Sequence, residues 1–228
     1  MNSEKHYAVA IDGPSGAGKS SVAKAAAKRL GAVYVDTGAI YRTIGLAAKR
    51  AGILPEDAQR LAGLLPRLSI ELTYDAQGVQ RMLLNGEDVS DDIRTPEISR
   101  SASAVSAVPA VRAFLLEMQR EAARTRCVLM DGRDIGTVVL PQAEVKIFLT
   151  ASPEARAKRR FKELREKGDG SSYETVLAEL QQRDAQDMNR AIAPLRQAED
   201  AVLLDTSELD FDGSVDAVCA VIREKLEL

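Results

Sequence analysis

The sequence predicts an α/β fold, a mostly parallel sheet covered on both faces by helices and interrupted by a small antiparallel β insert. Three observations carry this. Short apolar runs alternate with longer stretches of helical period, the pattern of strands buried on both faces. Between about residues 68 and 89 the period drops to two and an Asn85-Gly86 pair marks a hairpin turn. A Gly-rich turn joins the first strand directly to the first helix. The 228 residues suit one large domain with an insert.

In chain order, Tyr7–Ile11 is the first strand and Lys19–Leu30 the first helix, closed by Gly31 as a C-terminal cap. Val33–Val35 is a second strand. Asp36 or Thr37 caps the next helix, whose Ile40, Ile44 and Ala47 share a face, and Gly52 ends it. Pro55–Leu64 reads as a short helix. Ile70, Leu72 and Tyr74 alternate with polar residues, a second strand follows Gly78 through Leu84, and Val89 closes a three-stranded meander. Thr95 caps a helix with Pro96 in its first turn, and Pro109 opens another with Val111, Leu115 and Met118 on one stripe. Cys127–Met130 is a buried strand ending at Asp131. Val145–Leu149 and Ala201–Leu204 are the fourth and fifth core strands. Helices at about Pro153–Lys167 and Tyr173–Arg190 lie between them, and a last helix follows Gly213.

Composition limits the function. Apolar residues make up 45% and charged residues 29%, with no Trp, so the core is aliphatic. A net charge of -3 argues against a general binder of nucleic-acid polymers. Cys127 and Cys219 belong to no CxxC or Cys/His pair and read as buried free thiols of a reducing compartment. The N-terminal apolar run is too short for a signal peptide or membrane span, so a cytoplasmic protein is expected.

Gly13-Pro14-Ser15-Gly16-Ala17-Gly18-Lys19-Ser20 matches G-x-x-x-x-G-K-[ST] at every fixed position, after a strand and before a helix. Glycines let backbone N–H groups turn inward around phosphate oxygens, and the helix N-terminus adds partial positive charge. Lys19 can reach the β- and γ-phosphates, and Ser20 can ligate Mg²⁺. ATP binding is therefore assigned to Gly13, Pro14, Ser15, Gly16, Ala17, Gly18, Lys19, Ser20 and Ser21. The chain lacks the N-K-x-D segment by which GTPases read guanine.

Asp131-Gly132-Arg133-Asp134 follows a buried strand to the carboxyl edge of the sheet, where ligands gather in such folds. Asp131 can hold Mg²⁺ through water, while Arg133 and Asp134 point into the cleft. The plain alternative is a surface turn with a local ion pair. Leu180, Arg183, Asp187 and Arg190 lie along one helical face, either a helix entering an anion-binding cleft or an exposed stripe of ion pairs. The basic run of Arg156, Lys158, Arg159, Arg160, Lys162, Arg165 and Lys167 is either a solvated face or a mobile lid over the transferring phosphate.

With these motifs assembled, the chain resembles the bacterial cytidylate kinases over nearly its whole length. The carriers are IDGPSGAGKS at Ile11–Ser20, DTGAIYR at Asp36–Arg42, NGEDVSDDIRT at Asn85–Thr95, DGRDIGTVV at Asp131–Val139 and the RD…D…NRA…PL run from Arg183 to Leu195. The resemblance implies a P-loop kinase with a five-stranded parallel core (1–36, 113–152 and 191–228), an acceptor-binding region with the β insert (about 37–112) and a helical lid (about 153–190). It implies phosphoryl transfer from ATP to CMP or dCMP with Mg²⁺; a monomer is the default expectation. Arg42, Arg133 and Arg183 are implied as the clamp on the acceptor phosphate. Ser103, Arg112, Asp134 and Arg190 are implied as cytosine readers and Asp187 as the ribose ligand. Thr37 stands where the family often has Ser. Lys19, Arg133, Arg183 and Arg159 are the expected catalytic side chains, with Arg156 and Arg160 as rivals of Arg159. The only histidine, His6, precedes the first strand and is expected to be solvated. A P-loop kinase for another nucleotide or for a small alcohol such as shikimate, and an ATP-driven switch, are the competing readings; a panel of acceptors separates them.

Overall fold

The computed structural model describes residues 6–166 and 168–228, so Lys167 and the first five residues lie outside it. The chain forms two compact units, one of residues up to Tyr34 and from Thr125 onward, the other Val35–Arg124.

The first unit is built on five strands: β1 (Ala8–Asp12), β2 (Val33–Asp36, whose last two residues begin the second unit), β6 (Val128–Gly132), β7 (Val145–Thr150) and β8 (Val202–Asp205). Their order across the sheet is β2-β6-β1-β7-β8. β1 pairs in parallel with β6 on one side (Ile11 opposite Asp131) and β7 on the other (Ile11 opposite Ile147). The chain's first strand is thus central, and the connections on its two sides diverge at its carboxyl end, the position where open α/β sheets take their ligands. Val9, Ile11, Leu129, Ile147 and Leu149 are fully or almost fully buried between α1 (Lys19–Leu30) and α8 (Phe211–Leu226), packed on Val22, Ala23, Ala26, Val215, Val218 and Ile222. Small alanines on α1 let it approach the sheet closely. The helix bounds follow its glycines: Gly18 (φ 81°) precedes the first turn, and the Gly31 N–H (φ 66°) closes onto the Ala27 carbonyl. α6 (Pro153–Glu166) and α7 (Tyr173–Met188) pack on each other through Ala157, Val176 and Leu180.

The second unit contains α2 (Thr37–Arg50), α3 (Ala58–Leu64), the β3–β4–β5 meander (Ile70–Tyr74, Gln80–Leu84, Glu87–Asp88), α4 (Pro96–Val105) and α5 (Pro109–Glu121). Ile40, Ile44, Leu61, Met82, Ile93, Ile98 and Leu115 form its own apolar core. Asp36, rather than Thr37, caps α2 by accepting from the Ala39 N–H, and Thr95 caps α4 by accepting from Ile98. Asn85 (φ 52°) and Gly86 (φ 83°) make the β4–β5 turn.

Some expected bounds move. α3 starts at Ala58 because Asp57 caps it, and α7 ends at Met188, short of Arg190. α8 starts before Gly213, whose N–H is the target of the Asp210 cap. β5 is only two residues long. A π-helical turn, Ile135–Val139, follows β6 and was not foreseen. Cys219 is buried but Cys127 only partly so, and both are free thiols. No single helix among the described residues is long and apolar enough to cross a membrane.

Candidate active site

In the first unit, β1 delivers Asp12 to the Gly-rich turn. A Cβ on Gly13 (φ 150°) would sit 2.0 Å from the Leu149 carbonyl oxygen of β7, so only glycine fits this close backbone approach. Pro14, Ser15, Ala17 and Lys19 are buried, whereas Gly16, Gly18, Ser20 and Ser21 are exposed. Lys19 folds back so that Nζ donates to the Pro14 carbonyl at 2.7 Å. Burial first, and then the nearby Arg133 guanidinium, hold the Lys19 pKa well below its ordinary value, against the opposing pull of Asp131, Asp187 and Asp12. The P-loop lysine and Arg133 after β6 therefore share one electrostatic environment.

β6 carries Asp131 to the same edge. Its Oδ2 accepts from Ser20 Oγ and its Oδ1 from the Tyr34 hydroxyl, both at 2.8 Å. The structure thus brings together the two residues assigned to a cation. Tyr34 was missed because an aromatic residue in a strand reads as packing.

Arg133 Nε donates to Asp187 Oδ2 at 2.8 Å, and its Nη1 donates to the Gly132 carbonyl at 3.1 Å. Arg190 Nη1 lies 3.9 Å from the other Asp187 oxygen, and its Nη2 donates to the Ala193 carbonyl. Burial alone would raise the Asp187 pKa. The Arg133 guanidinium, with Arg190 and Arg183 beside it, outweighs burial and holds this carboxyl below its ordinary value. Asp187 has 6% of its side chain exposed, so the charged end of α7 faces protein and not bulk water.

Asp134 is buried at the start of the π-helical turn. That turn is held by Asp12, whose Oδ1 accepts from the Ile135 N–H (2.8 Å) and Oδ2 from the Gly136 N–H (2.7 Å). Burial pushes the Asp12 pKa up to about 6, opposed by these two N–H groups and by Lys19 and supported by Asp134. Asp12 was not among the expected site residues. Its signal was a charge at the end of an otherwise apolar strand.

The basic run on α6 separates into distinct environments. Arg156 is buried and bonded to Asp184 and to the carbonyls of Ser15 and Ala151. The Arg159 guanidinium donates to the carbonyls of Thr206 and Leu209. Arg160 forms an exposed pair with Glu163. Lys158, Lys162 and Arg165 are exposed, and Lys167 lies outside the described residues.

In the second unit, Thr37 is buried at the first turn of α2, and Arg42 one turn on donates to Asp36 Oδ2 at 2.7 Å. The Arg42 Nε is buried and makes no hydrogen bond among the described residues. Gln80 bonds both the N–H and the carbonyl of Asp36, so β4 fixes this cap. Arg112 is buried 5.6 Å over the Tyr41 ring and donates to the Ser106 carbonyl. Ser103 is partly buried on α4, and its carbonyl accepts from the Ser106 hydroxyl. Arg42, Thr37, Ser103 and Arg112 thus lie in this unit, while Arg133, Asp134, Arg183, Asp187 and Arg190 lie in the other.

The family model described as cytidylate kinase matches residues 9–224. A cytidylate kinase of Geobacter sulfurreducens is 50% identical over 217 residues, covering 95% of this chain and 93% of that protein. One of Caldicellulosiruptor saccharolyticus is 49% identical over 224 residues, covering 98% and 96%. Among solved structures, an uncharacterized protein from Eubacterium ventriosum superposes with a TM-score of 0.52 at 13% identity, covering 96% of this chain and 99% of that one, a likeness of fold alone. With the matched model running from β1 into the last helix, the chain belongs to the cytidylate kinase family.

Proposed function

We propose that this protein transfers the γ-phosphoryl group of ATP to CMP and dCMP, giving ADP and the nucleoside diphosphates. The observation that carries the reading is the gathering of the phosphate loop with Lys19, the Ser20–Asp131 bond and the Arg133–Asp187 pair at the carboxyl edge of one parallel sheet. A site that places a P-loop lysine beside further guanidinium groups suits a reaction between two anions.

The acceptor is itself a phosphate monoester whose second pKa is about 6, so it reaches neutral pH as a nucleophile and needs no general base. The problem is repulsion and alignment. Lys19 and the N–H groups at the start of α1 receive the donor phosphates. Arg42, Arg133 and Arg183 clamp the acceptor phosphate, each a planar fork that matches two oxygens and stays charged. Asp187 orients the ribose and holds Arg133 in place. Asp134, with Ser103, Arg112 and Arg190, reads the base: a carboxylate accepts from the cytosine amino group but faces an acceptor in uracil. Thr37 keeps a hydroxyl near the acceptor phosphate. Arg159 reaches the transferring phosphate from a lid region of about 153–190; the other regions are a core of 1–36, 113–152 and 191–228 and an acceptor-binding region of about 37–112.

Ser20 and Asp131 would hold Mg²⁺, the carboxylate through water. A hydroxyl and one carboxylate bonded at 2.8 Å fit an ion that keeps several waters and leans on substrate phosphates. When bound, the cation neutralises charge on the phosphate oxygens. The protein acts as a cytoplasmic monomer on small nucleotides, without nucleic acid or membrane; its negative net charge and free thiols support this.

The test is ADP formation from ATP and Mg²⁺ with CMP, dCMP, UMP and AMP side by side. CMP and dCMP are expected to raise ADP release far above the rate with ATP alone. A rate with CMP equal to that background would refute the reading.

A further inference from the structure

Ser15, in the middle of the phosphate loop, has both backbone polar groups held by side chains from α6 and α7. Its N–H donates to Asp184 Oδ1 at 3.0 Å, and its carbonyl accepts from Arg156 Nη1 at 2.8 Å. The same Nη1 donates to Asp184 Oδ2 at 2.6 Å, closing a ring of three bonds. Arg156 Nε is anchored on the Ala151 carbonyl at the end of β7. Both charges are withdrawn from water, with 4% and 9% of their side chains exposed. The contact extends to Gly16, where a Cβ would meet Leu180 of α7 at 3.1 Å and Arg156 Cβ at 3.6 Å.

Burying an ion pair is a poor way merely to hold two helices together. An apolar pair of similar volume does as well or better. What an apolar pair cannot do is bond a peptide N–H and C=O at once. The ring engages the Ser15 N–H and carbonyl together and so restrains the peptide planes on either side. The loop then needs less ordering when a phosphate arrives.

We propose that Asp184 and Arg156 are positioning residues for the phosphoryl donor: by clamping Ser15 they preorganise the phosphate loop and set donor affinity. This rests on the reading of that loop as the ATP site. It also separates Arg156 from Arg159 and Arg160, since its guanidinium is committed to the loop's backbone and to Asp184.

The experiment compares the parent with D184N, D184A and the double variant R156M/D184A. Each is melted, titrated with MgADP by calorimetry, and assayed with ATP and CMP varied separately. The double variant leaves no uncompensated buried charge, and D184N is nearly isosteric, so either one provides a folded test. D184A and the double variant are expected to bind MgADP roughly tenfold or more weakly, the scale of a lost charge-assisted hydrogen bond. The KM for ATP should rise in parallel, while the KM for CMP at saturating ATP stays within about twofold. D184N, whose amide oxygen still accepts the Ser15 N–H, should recover most of the affinity. A purely structural pair would lower the melting temperature and leave MgADP affinity untouched. That result, or equal rises in both KM values, would overturn the proposal. Should the parent bind MgADP but leave CMP unchanged, the acceptor assignment fails, and calorimetry alone still decides the role of the ring.

Discussion

Replacing Asp12 by Asn tests how the phosphate loop is joined to the turn that carries Asp134. In the parent both carboxylate oxygens accept backbone N–H groups, yet burial pushes the pKa to about 6. The unfolded chain titrates this group near the ordinary aspartate value of 3.8. Between those two values the folded state holds the proton more tightly, so stability falls as pH rises through the folded pKa of about 6, and about one pH unit above it the loss is nearly complete. Linkage over this shift gives a loss of about 2 kcal/mol between about pH 4.5 and about pH 7.5 from this group. Asparagine does not titrate, so D12N lacks the slope. It has its own pH-independent penalty, since its amide NH₂ must face one of the two N–H groups that a carboxylate satisfies. Urea unfolding of parent and variant across that range provides the measurement. D12N should gain about 2 kcal/mol on the parent as pH rises, a relative midpoint shift of about 1 M for m near 2 kcal/mol/M. Parallel stability profiles would show that Asp12 does not titrate in this window, and the burial argument would fail.

Four further outcomes are expected. Gly13→Ala drives a Cβ to 2.0 Å from the Leu149 carbonyl and should destabilise the first unit by more than about 4 kcal/mol; a melting temperature close to the parent's would contradict that contact. Asp187→Asn removes the charge facing Arg133 and Arg190, so the KM for CMP should rise roughly tenfold while that for ATP moves less; initial-rate kinetics in each substrate separates the two. Asp134→Ala should lower activity on CMP more than ATP binding and narrow the CMP-to-UMP ratio, and an unchanged ratio would remove Asp134 from base reading. Lys19 loses its proton below the ordinary lysine range, so the affinity for ATP should fall as pH rises through that lowered pKa; Arg133→Met should move this alkaline limb upward, and a fixed limb would exclude Arg133 as a cause.

The sequence was most legible where local chemistry alone decides. α1 was read to the residue, because its ends are set by two glycines with positive φ and by the apolar spacing of its own face. The paired Ser20 and Asp131 were legible because Ser20 opens the helix that follows the phosphate loop and Asp131 lies at the end of an apolar strand, so chain direction fixes the edge each reaches. The π-helical turn at Ile135–Val139 was not legible, since what holds it is a carboxylate 123 positions away from Ile135. Asp184 was hidden for the same reason. In the sequence it is one polar residue among many on α7, and only its contact with Ser15, 169 positions earlier, distinguishes it.

The basic run on α6 shows what a sequence cannot rank and a structure can. Arg156, Arg159 and Arg160 are chemically identical and lie within little more than one helical turn, so periodicity assigns them faces but not environments. Burial separates them. A guanidinium that is to receive a phosphate must keep part of its surface accessible, whereas one that shapes the phosphate loop must be buried against that loop's own backbone. Arg156, with 4% of its side chain exposed and Nη1 and Nε spent on Asp184 and two carbonyls, meets the second condition. Arg133, with 21% exposed and held by Asp187, meets the first. Each has a carboxylate partner, so an ion pair alone does not mark the ligand-binding arginine. One cation anchored on the loop's backbone and another left partly accessible is a division that lets a phosphate enter without rebuilding the loop.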